Sequence, residues 1–383
     1  MLIRKLNPED MPQIVDLLAT REELDRRRAE DRAAILEWIA FHNPFMDEGQ
    51  PTYFVVEDEG RVVAIHGRMP SVFTLKGEYK RGYYVHDLYV HKDYREKGKG
   101  FWLTIELAKA IEKETDAFFC LFGMTPLNLQ MQRRRHYHEM VFDAYVKVIR
   151  PKETLSRFLK NRTIVTLLNP LAWLGVRLAD LLLLPRKAGG VEVVPVDRFD
   201  VRFDALFKRI SPSLGVCTVK TADYLNWKYG EGPSRRDVVL AAFVGGDLKG
   251  FVVVGLAPRK TIPVGVIKDI VFDPGERNVA KGLFLAAIQQ MRDRHVYSIR
   301  CVVSDPRFAR ILRRFLFFRM ADHEVVFLGN LAKSPVDAEI LRDIRNWHIT
   351  LGESDIFMFS GGIPPVRTSA GSSSAIFQSQ SPD

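Results

Sequence analysis

The chain has 383 residues, 46% of them apolar, and carries a net charge of +9 with a pI near 9.4. That length and apolar share exclude a wholly disordered chain and a disulfide-stapled miniprotein, and leave room for two domains of ordinary size. The surplus charge suits an anionic partner such as a phosphorylated cofactor, an acidic protein or a lipid surface, but its even spread gives no reason to expect nucleic acid.

In chain order, residues 2–6 read as a strand that leads into helical patterns. The opening "MLIRKLNPEDMPQIVDLL" lacks the apolar block of a secretory signal, which predicts a cytoplasmic protein. Residues 52–57 and 61–74 read as two strands around the turn "EDEG", and 83–90 as a third. A helix over 99–114, a strand over 117–122, a short helix after "TP" and the strand "VFDAYVKVI" complete the first stretch. This order predicts an α/β class domain with a mixed (α+β) sheet. Cys120, Cys217 and Cys301 are far apart and each lies in an apolar run, a pattern for core packing rather than a disulfide or zinc framework.

The chain then repeats itself. Trp38 and Pro44 recur as Trp227 and Pro233, six residues apart in both places. Asp87, Arg95 and Gly100 recur as Asp269, Arg277 and Gly282 with the same internal spacing, and Met140 recurs as Met320. The ordered series predicts two copies of one fold, at 1–150 and 191–362, joined by a helical linker at 151–190 and followed by a disordered tail at 363–383. The linker segment 163–185, "TIVTLLNPLAWLGVRLADLLLLP", has the roughly 20 residues needed to cross a bilayer. Pro170, Arg177 and Asp180 interrupt it, and Arg177 and Asp180 are spaced to pair on one helix face. The expectation is a packed inter-domain helix, with a membrane-surface helix and a span left open.

The most specific local signal is Arg95-Glu96-Lys97-Gly98-Lys99-Gly100, between a strand and a helix. It fits neither the dinucleotide fingerprint nor the Walker motif. Glycines before a helix N-terminus let backbone amides close around an anion, and Arg95, Lys97 and Lys99 favour a diphosphate. A plain turn with solvated charges is the competing reading.

The stretch "DLYVHKDYREKGKG", with the strand pair before it and the helix behind it, resembles motif A of the GNAT acetyltransferase superfamily. The sharpest match is at 87–100, and the element order is similar over 1–150. The resemblance implies an N-acyltransferase that passes acetyl, or another acyl group, from acyl-CoA to a small-molecule amine by direct attack. It implies that the amides of Arg95, Glu96, Lys97, Gly98, Lys99 and Gly100 hold the pyrophosphate, that Leu88, Tyr89 and Val90 flank the pantetheine arm, and that Asn128 also contacts the cofactor. An amide near Tyr89 or Val90 would stabilise the oxyanion. His86 and Asp87 are the candidate bases; because adjacent strand residues point to opposite faces, one of the two is expected to face the acceptor. Tyr137, five residues before Phe142, is the candidate acid, although Val141 stands where the family usually has glycine. Phe41, His42 and Asn43, from a loop before the first hairpin, and Tyr83 are the candidate acceptor-facing residues. His136 and His138 lack a completing ligand set, so no metal is expected.

The second copy reads as degenerate, since Ala280 replaces Gly98 and Phe317 replaces Tyr137. Two alternatives stay open. One is an acyltransferase that uses acyl carrier protein or a lipid-linked acceptor at the inner face of the membrane, through 163–185 and with Phe101 and Trp102 bordering an apolar tunnel. The other is a non-catalytic acetyl-CoA sensor.

Overall fold

The computed structural model describes residues 1–21, 24–46, 52–75, 78–113, 118–122, 126–135, 137–185, 188–233, 237–257, 263–330 and 338–353. The first half runs β1 (Leu2–Lys5), α1 (Met11–Ala19), α2 (Arg26–His42), β2 (Tyr53–Asp58), β3 (Arg61–Leu75) and β4 (Glu78–Val90). It continues with α3 (Lys92–Glu96), α4 (Gly100–Lys113), β5 (Phe118–Phe122), α5 (Pro126–Arg134) and β6 (His138–Val148). Helices α6 (Lys152–Phe158) and α7 (Arg162–Leu183) lead into β7 (Glu192–Val196), α8 (Val201–Leu214), β8 (Cys217–Thr218) and α9 (Ala222–Leu225). The remainder is β9 (Val238–Val244), β10 (Asp247–Ala257), β11 (Val264–Phe272), α10 (Arg277–Asp293), β12 (Ser298–Val302), α11 (Pro306–Arg314), β13 (Phe318–Asn330) and α12 (Ala338–Arg342).

The predicted mixed α/β class is what the chain adopts. Each half opens with a strand and closes with the order strand, helix, strand, helix, strand. All the long strands belong to one sheet, in the order β1-β2-β3-β4-β5-β13-β6-β12-β11-β10-β9-β7. The last strand of each half is exchanged: β13 pairs with β5, while β6 pairs with β12 and β13. Two halves with a similar element order therefore share a seam built from both. The two repeat tryptophans meet there as well, since Trp38 Nε1 donates to the Trp227 carbonyl at 3.0 Å.

Alternation along the strands sorts the side chains into cores. Tyr53, Val55, Val62 and Ile65 pack with α1 and α2 on one face of the first half. Phe54, Val56, Val63 and Tyr83 pack under Leu103 and Leu107 of α4 on the other. In the second half, Phe203 and Phe207 of α8 and Leu283 and Ala287 of α10 are buried in one cluster with β9 to β12. Cys217 and Cys301 are buried free thiols, the former pushed up to about 12 by burial, while the side chain of Cys120 is outside the described residues.

The linker corrects the expectation of a packed helix. Along α7 only Val165 and Asp180 are buried, and most of its leucines face outward. Asp180 does not pair with Arg177. It accepts from Lys147 of β6 at 2.6 Å and from Arg292 of α10, because its face of the helix meets those two elements. Arg177 lies over the Trp173 ring instead, 5.1 Å from its centroid. The predicted tail lies outside the described residues.

Candidate active site

Strands β4 and β5 are parallel neighbours, yet they pair only from Gly82 to Tyr84, opposite Phe118 to Cys120. Beyond Tyr84, β4 runs on to Val90 bonded to β3 alone among the described residues, so a cleft opens between the two strands. A bulge falls at the start of this splay. Ile65 pairs with Tyr89 but Gly67 with His86, which leaves one extra residue on β4, and Asp87 takes φ +49°.

That bulge overturns the expected alternation. With the strand locally out of pleat, His86 and Asp87 turn towards each other, and Nδ1 of His86 lies 2.9 Å from Oδ2 of Asp87. Tyr53 on β2 donates its hydroxyl to the same Oδ2 at 2.7 Å, and Arg32 on α2 donates to Oδ1 at 2.8 Å. Burial works against the charged form of Asp87, but the Arg32 guanidinium and the bonds from His86 and Tyr53 outweigh it. They hold the carboxyl well below the usual range. Gly67 makes the arrangement possible, because a methyl group there would come within 2.5 Å of the Tyr53 ring. On the other face of the sheet, His66 is fully buried and bonded through Nδ1 to the His86 carbonyl at 3.0 Å; burial lowers its pKa to about 4 and keeps it neutral. Arg68 is buried beside it, over the Tyr83 ring at 4.9 Å.

At the far end of β4, α3 and its exit form the basic turn. Gly98 takes φ +74° with open space around it, which a β-carbon would disfavour. The amides of Arg95, Lys97, Gly98 and Lys99 are spent inside the turn, on His91, Asp93, Arg95 and Tyr94 carbonyls. Those of Gly100, Phe101 and Trp102, which start α4, have no backbone acceptor among the described residues. Arg95, Lys97 and Lys99, just before that start, have exposed side chains. The amides without a backbone acceptor thus run from Gly100 to Trp102, whereas the sequence reading places them at Arg95 to Gly100.

Residues 11–130 match the acetyltransferase (GNAT) family model. The chain carries a GNAT domain. Solved structures with the same fold include a GCN5-related N-acetyltransferase from Anabaena variabilis, 11% identical, with a TM-score of 0.57 over 87% of this chain and 74% of that one. Saccharomyces cerevisiae N-myristoyltransferase with bound myristoyl-CoA is 12% identical, with a TM-score of 0.55 over 86% and 82%. A GCN5-related N-acetyltransferase from Kribbella flavida is 14% identical, with a TM-score of 0.53 over 86% and 70%. No curated protein matched the chain. At these identities the likeness is one of fold.

Within the GNAT domain the remaining candidates separate. Leu88, Tyr89 and Val90 lie on the splayed part of β4, with Tyr89 flanked by the guanidinium groups of Arg21 at 5.0 Å and Arg32 at 5.5 Å. Phe41 and His42 end α2 instead of lying in a loop, and His42 stacks on Trp38. Asn43 caps that helix; it is buried, donates to the Pro70 carbonyl and accepts from the Phe45 amide. Tyr83 is buried under Arg68 on the α4 face, opposite Tyr53. Tyr137 lies past the end of α5, and its hydroxyl donates to Glu112 near the C-terminus of α4 at 2.8 Å. Asn128 is in α5 with its side chain outside the described residues, as is all of His136; His138 faces the Arg342 carbonyl. Among the described residues no three His, Cys, Asp or Glu side chains cluster as metal ligands.

Tyr53, Arg32, His66 and Arg68 were missed in the sequence. They come from elements whose contact with β4 depends on register, and no local spacing marks them. The second-half counterpart has no separate turn before its helix, although the Asn278 and Val279 amides at the start of α10 also lack a backbone acceptor among the described residues. Arg277 to Gly282 are wound into α10, and the Ala280 amide is bonded to the Glu276 carbonyl. Its aspartate, Asp269, accepts from Lys220 at 2.8 Å and Tyr229 at 3.1 Å in a fully buried cluster.

Proposed function

We propose that this protein is an N-acyltransferase that draws its acyl group from acyl-CoA bound by the first half and passes it to an amine. The observation that carries this reading is the acceptor-free start of α4, preceded in the chain by the exposed Arg95, Lys97 and Lys99, beside the β4–β5 splay. Anions favour such helix starts, and a diphosphate matches the three cations. The pantetheine arm then runs along Leu88 to Val90, where one face of the β4 backbone is unpaired.

The amine attacks the thioester carbonyl; the C–N bond forms and the C–S bond breaks, releasing the thiolate. His86 takes the proton of the attacking amine. Asp87, ionised and saturated by Arg32, Tyr53 and His86, cannot be that base; it orients the imidazole so that Nδ1 carries the proton and Nε2 accepts. The Tyr137 hydroxyl donates its hydrogen bond to Glu112, so it packs rather than protonates in this scheme, and the thiolate takes its proton from solvent. The second half, where Ala280 stands in place of Gly98 and Gly282 packs against Val191 and Val193, is assigned the seam and no CoA.

A second reading concerns chain length. Phe101 and Trp102, 54% and 51% exposed at the phosphate end, border no tunnel among the described residues and lie at the opposite end of the cofactor from its acyl group, so a longer acyl donor stands beside acetyl-CoA as an alternative. Thiol release from acetyl-CoA and myristoyl-CoA, measured with a panel of amines, tests both. Turnover should fall about a hundredfold or more in His86→Ala with acyl-CoA affinity unchanged. Full turnover in that variant removes His86 as the base. Bound acyl-CoA without turnover on any amine points to a sensor.

A further inference from the structure

We propose that α7 seats this protein on an anionic phospholipid bilayer as a surface-lying, non-spanning anchor. The helix has 22 residues and is long and apolar enough to cross a membrane, yet only 6% of its apolar window is buried. Leu167, Leu171, Leu174, Leu178 and Leu182 are all exposed and recur every three or four residues, so they share one outward stripe, with Trp173 beside it. Such a stripe has no reason to face water in a globular chain.

The fold excludes a span. The chain enters α7 from β6 and leaves it into β7, and both strands belong to the same sheet. A bilayer crossed by α7 would have to pass through that sheet. The helix is also pinned lengthwise to the body, by the buried Val165 near its start and by the Asp180–Lys147 and Asp180–Arg292 pairs near its end. A helix so held presents one long side, the posture of an interfacial helix.

Charge selects the occupant. From residue 150 to 187 the sequence has eight Lys and Arg against two acids, and one of the two, Asp180, is buried in its ion pairs. Lys152, Lys160, Arg162 and Arg177 are exposed around the stripe. Two copies of this chain packed through α7 would bring those cations together, whereas anionic headgroups neutralise them while the acyl region takes the leucines. The position does not depend on the catalytic reading, because vesicles without acyl-CoA suffice to examine it.

Flotation of the full-length chain with vesicles of phosphatidylcholine alone, and with one quarter phosphatidylglycerol, tests the proposal. The protein should float with the anionic vesicles at least tenfold more than with neutral ones, and less as salt rises. Leu171→Glu with Leu178→Glu should abolish flotation. Both sites are exposed, so an unchanged circular dichroism spectrum checks the fold. Lys160→Glu with Arg162→Glu should weaken binding about tenfold. The proposal is overturned by no flotation, by flotation that survives the leucine variant, or by a concentration-dependent dimer that the leucine variant dissolves.

Discussion

Asp87 and His66 sit within a few ångströms of His86 and titrate to opposite effect. The folded carboxyl of Asp87 is depressed, so its contribution is complete above its unfolded value of about 3.9 and is lost only as pH falls below that. His66 is different: its folded value is about 4 against about 6.5 unfolded, so the unfolded chain takes up the proton first. Stability should therefore be full above pH 6.5 and decline as pH falls towards 4, by about 3 kcal/mol from this group. His348, buried and also depressed, adds a loss of the same sign. Urea unfolding at pH 7, 5.5 and 4.5 should show this slope, and His66→Gln should flatten part of it. Asp87→Asn should instead cost about 3 kcal/mol at pH 7, since it strands Arg32 beside a neutral amide. None of this chemistry was legible at residue level. His86 and Asp87 could be named from the resemblance, but their pairing depends on a bulge set by register against β3.

At the scale of elements, the glycine turn was the most legible part of the chain. A helix start needs few long-range contacts, and Gly98 declares its positive φ in the sequence. Gly98→Ala should cost about 1 kcal/mol and loosen acyl-CoA binding, while Gly98→Asn should be better tolerated, because asparagine accepts the left-handed region. What the turn did not reveal was which amides remain free, since that follows from bonds back to His91, Asp93 and Tyr94. For α7 the sequence misleads in the other direction. Arg177 and Asp180 have pairing spacing, but spacing says nothing of the Lys147 and Arg292 side chains that reach Asp180 from elsewhere. Asp180→Asn should destabilise by about 3 kcal/mol in urea unfolding, because Lys147 would remain buried without its anion.

For the whole molecule, the spaced residue matches pointed to two stretches of similar element order, but nothing in them pointed to the exchange of β6 and β13. Each half contains every strand needed to close on itself, and only the folded chain shows which neighbour each final strand chose. A buried cluster ties the seam further: Lys220 bonds Asp269 and Glu353, and Glu353 accepts from Tyr84 of the first half at 3.0 Å. We expect one cooperative unfolding transition by calorimetry, and no folded product from residues 1–150 expressed alone. Two separate transitions would show that the halves are independent. The central claim is that one half holds acyl-CoA at the start of α4 and the other does not. Calorimetric titration of acetyl-CoA and myristoyl-CoA into the full-length chain and Gly98→Glu tests it most directly. One site per chain, lost in the variant, is the predicted result; two sites, a site that survives Gly98→Glu, or no binding of either thioester would contradict it.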